Sequence, residues 1–244
     1  MSGNVLVIGE SCVDTFVYCE VIRLAPDVPV PVLRERTSTP TQGMAMNVYN
    51  NIRSLGSDVD IITNSNWDKM TKTRFVHDSS NHMFFRVDSE PDAADPFPLH
   101  LMEYDYNTIV IADYDKGFLS EDMINKICMT HPNVFLDTKK VLGPWAYGAR
   151  YIKINQTEYE KSKHAINGRL KDKIIHTTGP GGCEFQGVNF PVVPSEIKDV
   201  SGAGDTFMAA LVVKFGETKD IGASIEFANQ CASEIVKHRG VTVI

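Results

Sequence analysis

The stretch DVSGAGD (199–205) sets two glycines, Gly202 and Gly204, around Ala203, directly before Asp205 and an apolar run. Glycine lets a backbone turn tightly and lie close to a ligand. If a helix starts here, its first N–H groups have no intrahelical acceptor, and with the helix dipole they form a seat for an anion. Asp205 then stands in the first turn beside that anion. A carboxylate so placed can take the proton of a hydroxyl that attacks a phosphoryl group. The same residues also suit a plain turn followed by an acidic first-turn residue. No segment fits the G-x-x-x-x-G-K-[ST] pattern of a P-loop.

Four further stretches carry polar groups at telling spacings. NQTE puts Asn155 and Glu158 three residues apart. That is the spacing of a helix capping box, and equally of a polar pair holding hydrated magnesium and nucleotide phosphates. TTGPGG (177–182) is a glycine-rich turn after a strand. GESCVD (9–14) places Asp14 just past the first strand, on the side where doubly wound sheets hold ligands. QGMAMN (42–47) reads as a glycine turn at Gly43 with Asn47 at a helix start. Asp14 and Asn47 suit sugar hydroxyls, and each also suits a turn or a cap.

These residues need a scaffold. Short β-branched runs recur at 4–9, 58–63, 107–113, 133–138, 150–155 and 172–177. Most are continuously apolar, as in strands covered on both faces. Helical patterns span 45–55, which ends before Gly56, and 120–131, which opens at Ser120 and stops at Pro132. Two more span 203–215 and 220–238. Strands alternating with helices predict an α/β fold, a doubly wound, mainly parallel sheet flanked by helices. Residues 16–34 are extended and proline-rich, and 73–88 read as a hairpin turning at Ser79-Ser80-Asn81. Together they predict a small β-sheet flap inserted in a single domain, 1–244.

A net charge of −7 over 244 residues argues against wrapping a nucleic-acid backbone. One small anion needs only a local positive site. The cysteines Cys12, Cys19, Cys128, Cys183 and Cys231 are scattered without CxxC spacing, so neither a zinc site nor a disulfide framework is expected. With no leader-like N-terminal pattern and no run long enough to span a membrane, the expected compartment is the cytoplasm.

Together these stretches resemble the ribokinase-like (PfkB) carbohydrate kinases, which use ATP to phosphorylate a sugar hydroxyl. DVSGAGDTF (199–207) is similar to their D-T-x-G-A-G-D signature, NQTE to their N-x-x-E, and HTTGPGG (176–182) to their turn beside the nucleotide. FANQCASEIVKHRG (227–240) resembles their last helix, with Asn229 near the adenine. RLAPDVPVPVL (23–33), IADYDKG (111–117) and LDTKK (136–140) are similar to a subgroup acting on O1 of D-glycero-β-D-manno-heptose 7-phosphate. The likeness runs in order across nearly the whole chain. It departs where the family's paired glycines become Gly43-Met44, where Met46 takes a small-residue position, and where 64–72 and 159–172 are shortened.

The resemblance implies roles. Asp205 is the general base, and the N–H groups of Gly202, Ala203 and Gly204 form the anion hole. Asp14, Gly43 and Asn47 hold the sugar. Lys116 and Lys139 serve a distal phosphate or the ATP phosphates, and Arg23 and Arg86 close over the substrate from the flap. Asn155, Thr177, Gly179, Gly182 and Asn229 belong to the nucleotide side. Glu158 holds Mg2+ through water, and Asp199 a monovalent cation such as K+. The implied partners are ATP, a sugar or sugar phosphate, and a second copy joined through the flap, with no nucleic acid or membrane. One alternative is a PfkB-type kinase acting on another sugar, sugar phosphate or nucleoside. The other is a non-catalytic derivative that binds nucleotide or sugar.

Overall fold

The computed structural model describes residues 4–89, 94–98, 105–193 and 196–244. The chain opens with β1 (Val5–Gly9), then climbs and returns through two fourteen-residue strands, β2 (Ser11–Leu24) and β3 (Pro31–Met44). Helix α1 (Ala45–Ser54) leads to β4 (Val59–Ile62). The hairpin of β5 (Thr71–His77) and β6 (Met83–Asp88) follows. Next come β7 (Thr108–Asp113), α2 (Glu121–Thr130), β8 (Val134–Thr138) and β9 (Tyr151–Asn155). Two short helices, α3 (Gln156–Ser162) and α4 (Gly168–Lys171), precede β10 (Ile174–Thr177). The small strands β11 (Cys183–Phe185) and β12 (Val188–Phe190) lead into α5 (Ala203–Thr218) and α6 (Ile221–Ile235).

Among the described residues eight strands form the main sheet, in the order β12-β11-β10-β9-β8-β7-β1-β4. From β4 to β10 every pairing is parallel, and β11 and β12 add an antiparallel edge. Both faces are covered. On one, Val7, Val110 and Phe135 pack against Phe207 and Leu211 of α5 and Ile225 of α6. On the other, Ile8, Ile109 and Leu136 meet Ile124 and Ile127 of α2. Alternate side chains point to opposite faces, so burying both faces requires the unbroken apolar runs seen in β1, β7 and β8. Helix α5 is apolar around most of its surface because it packs on the sheet between α1 and α6.

The flap is a second sheet, in the order β3-β2-β5-β6. It is larger than the sequence suggested, taking in residues 11–44 and 71–88. Antiparallel pairing with β2 holds the polar run before Met44 extended, from Ser11↔Met44 to Leu24↔Pro31. Gly43 is therefore a strand residue opposite Cys12, not part of a turn. Met44 passes the chain into α1 with φ 63° and ψ −131°, a region costly for a residue with a side chain. The three-residue strands β11 and β12 are too short to show a periodicity. All five cysteines are free, buried thiols. No helix among the described residues is long and apolar enough to cross a membrane.

Candidate active site

A cleft of about 800 Å3 opens between the C-terminal ends of β9 and β10, the start of α5 and the base of the flap. Crevices of this kind lie outside the carboxyl ends of parallel strands. Gly202 caps α5 in the left-handed region, at φ 80°. A Cβ at that position would lie 2.9 Å from Asn47 Nδ2. Glycine therefore both turns the chain and leaves Asn47 its place. Gly202, Ala203, Gly204 and Asp205 all line the cleft, where first-turn N–H groups of a helix lack intrahelical acceptors, although that of Ala203 donates to the Val200 carbonyl at 3.3 Å.

Asp205 is held at both oxygens. Asn47 Nδ2 donates to Oδ2 at 2.9 Å, and the Tyr114 hydroxyl donates to Oδ1. The Asn47 amide is itself oriented, because Asn51 Nδ2 donates to its Oδ1 at 3.1 Å. Burial pushes the Asp205 carboxyl above the ordinary aspartate range, while the Asn47 and Tyr114 donors and the nearby Lys153 pull it back. The result is a carboxylate poised to accept a proton. The Tyr114 hydroxyl is driven far above its usual value, first by burial and then by the Asp205 charge, so it serves as a donor.

Tyr114 was not among the residues picked out by sequence. Its ring lies between two ammonium groups, Lys72 Nζ at 5.4 Å and Lys139 Nζ at 5.5 Å from the centroid. The loop that carries it is aimed by Glu10. This fully buried carboxylate accepts the backbone N–H of Tyr114 at 2.8 Å, of Lys116 at 3.0 Å and of Phe118 at 3.3 Å. Burial and the neighbouring Asp113 raise the Glu10 carboxyl.

On the flap side, Asp14, Gly43, Met44, Lys72 and Arg74 line the cleft. Arg74 forms an ion pair with the buried Asp14. Parallel pairing sets Asp14 beside Lys72, and alternation along β5 points Lys72 and Arg74 the same way. Of the cations chosen from sequence, Lys139 lines the cleft, but Arg86, Arg23 and Lys116 do not. Arg86 is exposed on the edge strand β6, with Nε 2.7 Å from Asp88. Arg23 sits at the exposed flap end and donates to the Leu24 carbonyl. Lys116 borders a separate small crevice behind the flap. Met44 reaches the cleft, whereas Met46 does not line it.

On the opposite side, Lys139, Asn155, Thr177, Gly179, Gly182 and Asn229 line the cleft. NQTE builds a complete capping box: Glu158 N donates to Asn155 Oδ1 at 3.0 Å and Asn155 N donates to Glu158 Oε2 at 2.8 Å. Glu158 lies buried beneath the cleft, where Lys139 pairs with its Oε1 and stands 3.7 Å from Asp137 Oδ1. Burial alone would lower the Lys139 ammonium pKa, but Asp137 and Glu158 outweigh it and raise it well above the ordinary lysine value. Asn229 donates to the Phe190 carbonyl at 2.9 Å, which ties α6 to β12. Asp199 does not line the cleft. Its Oδ1 accepts from Ser201 N at 2.9 Å and its Oδ2 from Gly240 N at 3.1 Å, so it braces the loop before α5. Among the described residues, no three His, Cys, Asp or Glu side chains converge to bind a metal.

Residues 149–244, which contain the α5 start and the capping box, match the pfkB family carbohydrate kinase model. The fold is ribokinase-like, and the likeness of sequence to that family model lies in these C-terminal residues. Phosphofructokinase-2 of Escherichia coli, solved with potassium, superimposes with a TM-score of 0.75 at 13% identity, covering 100% of this chain and 95% of that one. The Methanocaldococcus jannaschii nucleoside kinase gives a TM-score of 0.72 at 14% identity, covering 99% and 93%. Among curated proteins, the bifunctional protein HldE of Nitratiruptor is 26% identical over 97% of this chain and 62% of its own length. HldE of Hydrogenovibrio crunogenus is 27% identical over 99% of this chain and 61% of its own. The chain thus spans about three fifths of the length of these curated relatives.

Proposed function

We propose that this PfkB-type chain transfers the γ-phosphoryl group of ATP to a sugar phosphate, with O1 of D-glycero-β-D-manno-heptose 7-phosphate as acceptor. The observation that carries this is Asp205. It is a half-buried carboxylate at the start of α5, held by two neutral donors, between a glycine-rich nucleotide side and two flap cations.

Asp205 takes the proton of the acceptor hydroxyl as that oxygen attacks the γ-phosphorus, and the bond from phosphorus to the ADP oxygen breaks. The N–H groups at the α5 start carry the charge on the transferring group, and loss of one such donor costs about 2.7–4 kcal/mol of barrier. The acceptor hydroxyl binds at Oδ1, beside the Tyr114 donor. The residues present fit hydrated Mg2+. Lys139 already places one positive charge between Glu158 and Asp137, and among the described residues the buried Asp137 Oδ1 finds no hydrogen-bond donor. An Mg2+ held there with the phosphates would neutralise their charge. A K+ at Asp199 fits less well, because both oxygens already accept backbone N–H groups. No step depends on it.

Lys72 favours a phosphorylated acceptor over a neutral sugar or nucleoside, because Arg74 is already paired with Asp14 and Lys72 brings a further positive charge to the same cleft wall. The likeness of residues 23–33 to heptose kinases and the similarity to HldE proteins support the heptose phosphate. Met44 supports a second reading, another sugar phosphate, because its side chain occupies cleft space where the family resemblance places glycine. The flap carries exposed Val21, Ile22, Leu24, Val28 and Val30. We infer that a second copy covers this edge.

The deciding assay is ADP release from ATP with heptose 7-phosphate, other sugar phosphates, free sugars and nucleosides. Heptose 7-phosphate should support the highest kcat/KM, and Asp205→Asn should lower kcat by about 10²–10⁴-fold, the usual weight of a general base. Wild-type turnover in the variant would refute the base assignment, and preference for a neutral acceptor would refute the substrate.

A further inference from the structure

We propose that Lys153 is a phosphoryl-binding residue, whose ammonium contacts the terminal phosphate of a bound nucleoside triphosphate beside the α5 N-terminus. The proposal rests on the kinase reading above and names a contact within it.

Lys153 lies in the middle of β9, a strand interior to the main sheet. In register it stands opposite Asp137 on β8 and Ile175 on β10. Its strand neighbours at alternate positions, Ile152 and Ile154, belong to the core on the far face, so Lys153 points toward α5. Its residue is only 4% exposed. Asp137 is the acceptor that the ammonium finds among the described residues. Burial pushes the Asp137 carboxyl up, but Lys153 and Lys139 together hold it below the ordinary aspartate range. Asp137 is therefore held as the anion.

A lysine ammonium has three N–H donors, and one carboxylate does not use them all. The unused side of this one faces the catalytic turn. A Cβ built on Gly204 would lie 3.1 Å from Lys153 Nζ, and Lys153 lines the cleft. Glycine at 204 thus makes room for the ammonium as well as for a ligand. The placement is electrostatically unfavourable without an anion, because the N-terminus of a helix carries partial positive charge and disfavours a cation. A buried ion pair is also a weak way to stabilise a sheet face where apolar side chains would serve. Both costs are offset when a phosphate oxygen enters between the ammonium and the α5 N–H groups. Lys153 donates hydrogen bonds there and gives up no proton.

The test is equilibrium binding of Mg·AMP-PNP and Mg·ADP to the wild-type chain and to Lys153→Met, with no sugar present. The two nucleotides differ at the terminal phosphate. Lys153→Met should weaken AMP-PNP by about 10- to 100-fold, the weight of one charge-assisted hydrogen bond, and leave ADP affinity unchanged. If Lys153→Met does not fold, Gly204→Ala takes its place, since alanine favours the helix yet crowds the ammonium. It too should weaken AMP-PNP selectively. Equal losses for both nucleotides, or no loss, would overturn the role of Lys153 and leave the kinase reading standing. A wild-type chain that binds neither nucleotide would overturn both.

Discussion

Tyr114→Phe isolates the link between the loop after β7 and the proposed base. The substitution removes one hydroxyl and keeps the ring between Lys72 and Lys139. Asp205 then loses its donor at Oδ1 and keeps Asn47 at Oδ2, 2.9 Å away. A hydrogen bond to a charged group contributes about 1.5–3 kcal/mol, and one pKa unit corresponds to about 1.4 kcal/mol. The Asp205 carboxyl should therefore rise by about 1–2 units, on top of the upward push from burial. The sign follows from the role. A base must be ionised, so activity is present above its pKa and lost as pH falls through it. The acid limb of kcat/KM should move to higher pH by about 1–2 units. Lys153, Asp137, Lys139 and Cys12, the other titratable groups that sense or set the Asp205 charge, are the same in both proteins. ADP release followed across the acid and neutral range, at fixed ATP and varied acceptor, gives the limb directly. An unmoved limb would show that the Tyr114 hydroxyl does not set the ionisation of the catalytic group.

Arg74→Met should raise KM for a sugar-phosphate acceptor while leaving KM for ATP unchanged, because Arg74 lines only the flap side; steady-state titration of each substrate decides it. Gly202→Ala should cost about 1–2 kcal/mol in urea unfolding, since φ 80° is a left-handed conformation, and should also lower kcat by pushing on Asn47. The flap edge should hold two copies together at micromolar concentration in sedimentation velocity, and Val28→Lys with Val30→Lys should release monomer; a wild-type chain that sediments as a monomer would remove the dimer.

The features legible in the sequence were those decided by a few consecutive residues. A capping box needs only Asn155 and Glu158 three positions apart, because the bonds close within one helical turn. The left-handed entry to α5 needs only a glycine at 202, and the doubly wound sheet follows from apolar runs alternating with helical patterns. The residues that meet across the cleft were a different matter. Lys72 and Arg74 read as ordinary surface charges until parallel pairing of β2 with β5 sets Lys72 beside Asp14. Arg86 has the same residue type and lies on the same hairpin, but it stands one strand farther out and pairs with Asp88. Tyr114 and Lys153 reach Asp205 and Gly204 only because β7, β9 and α5 converge at one end of the sheet. A cation or a hydroxyl acquires its chemistry from the charges that long-range pairing brings within a few ångströms, and that distance is set by tertiary packing rather than by the residue's neighbours along the chain.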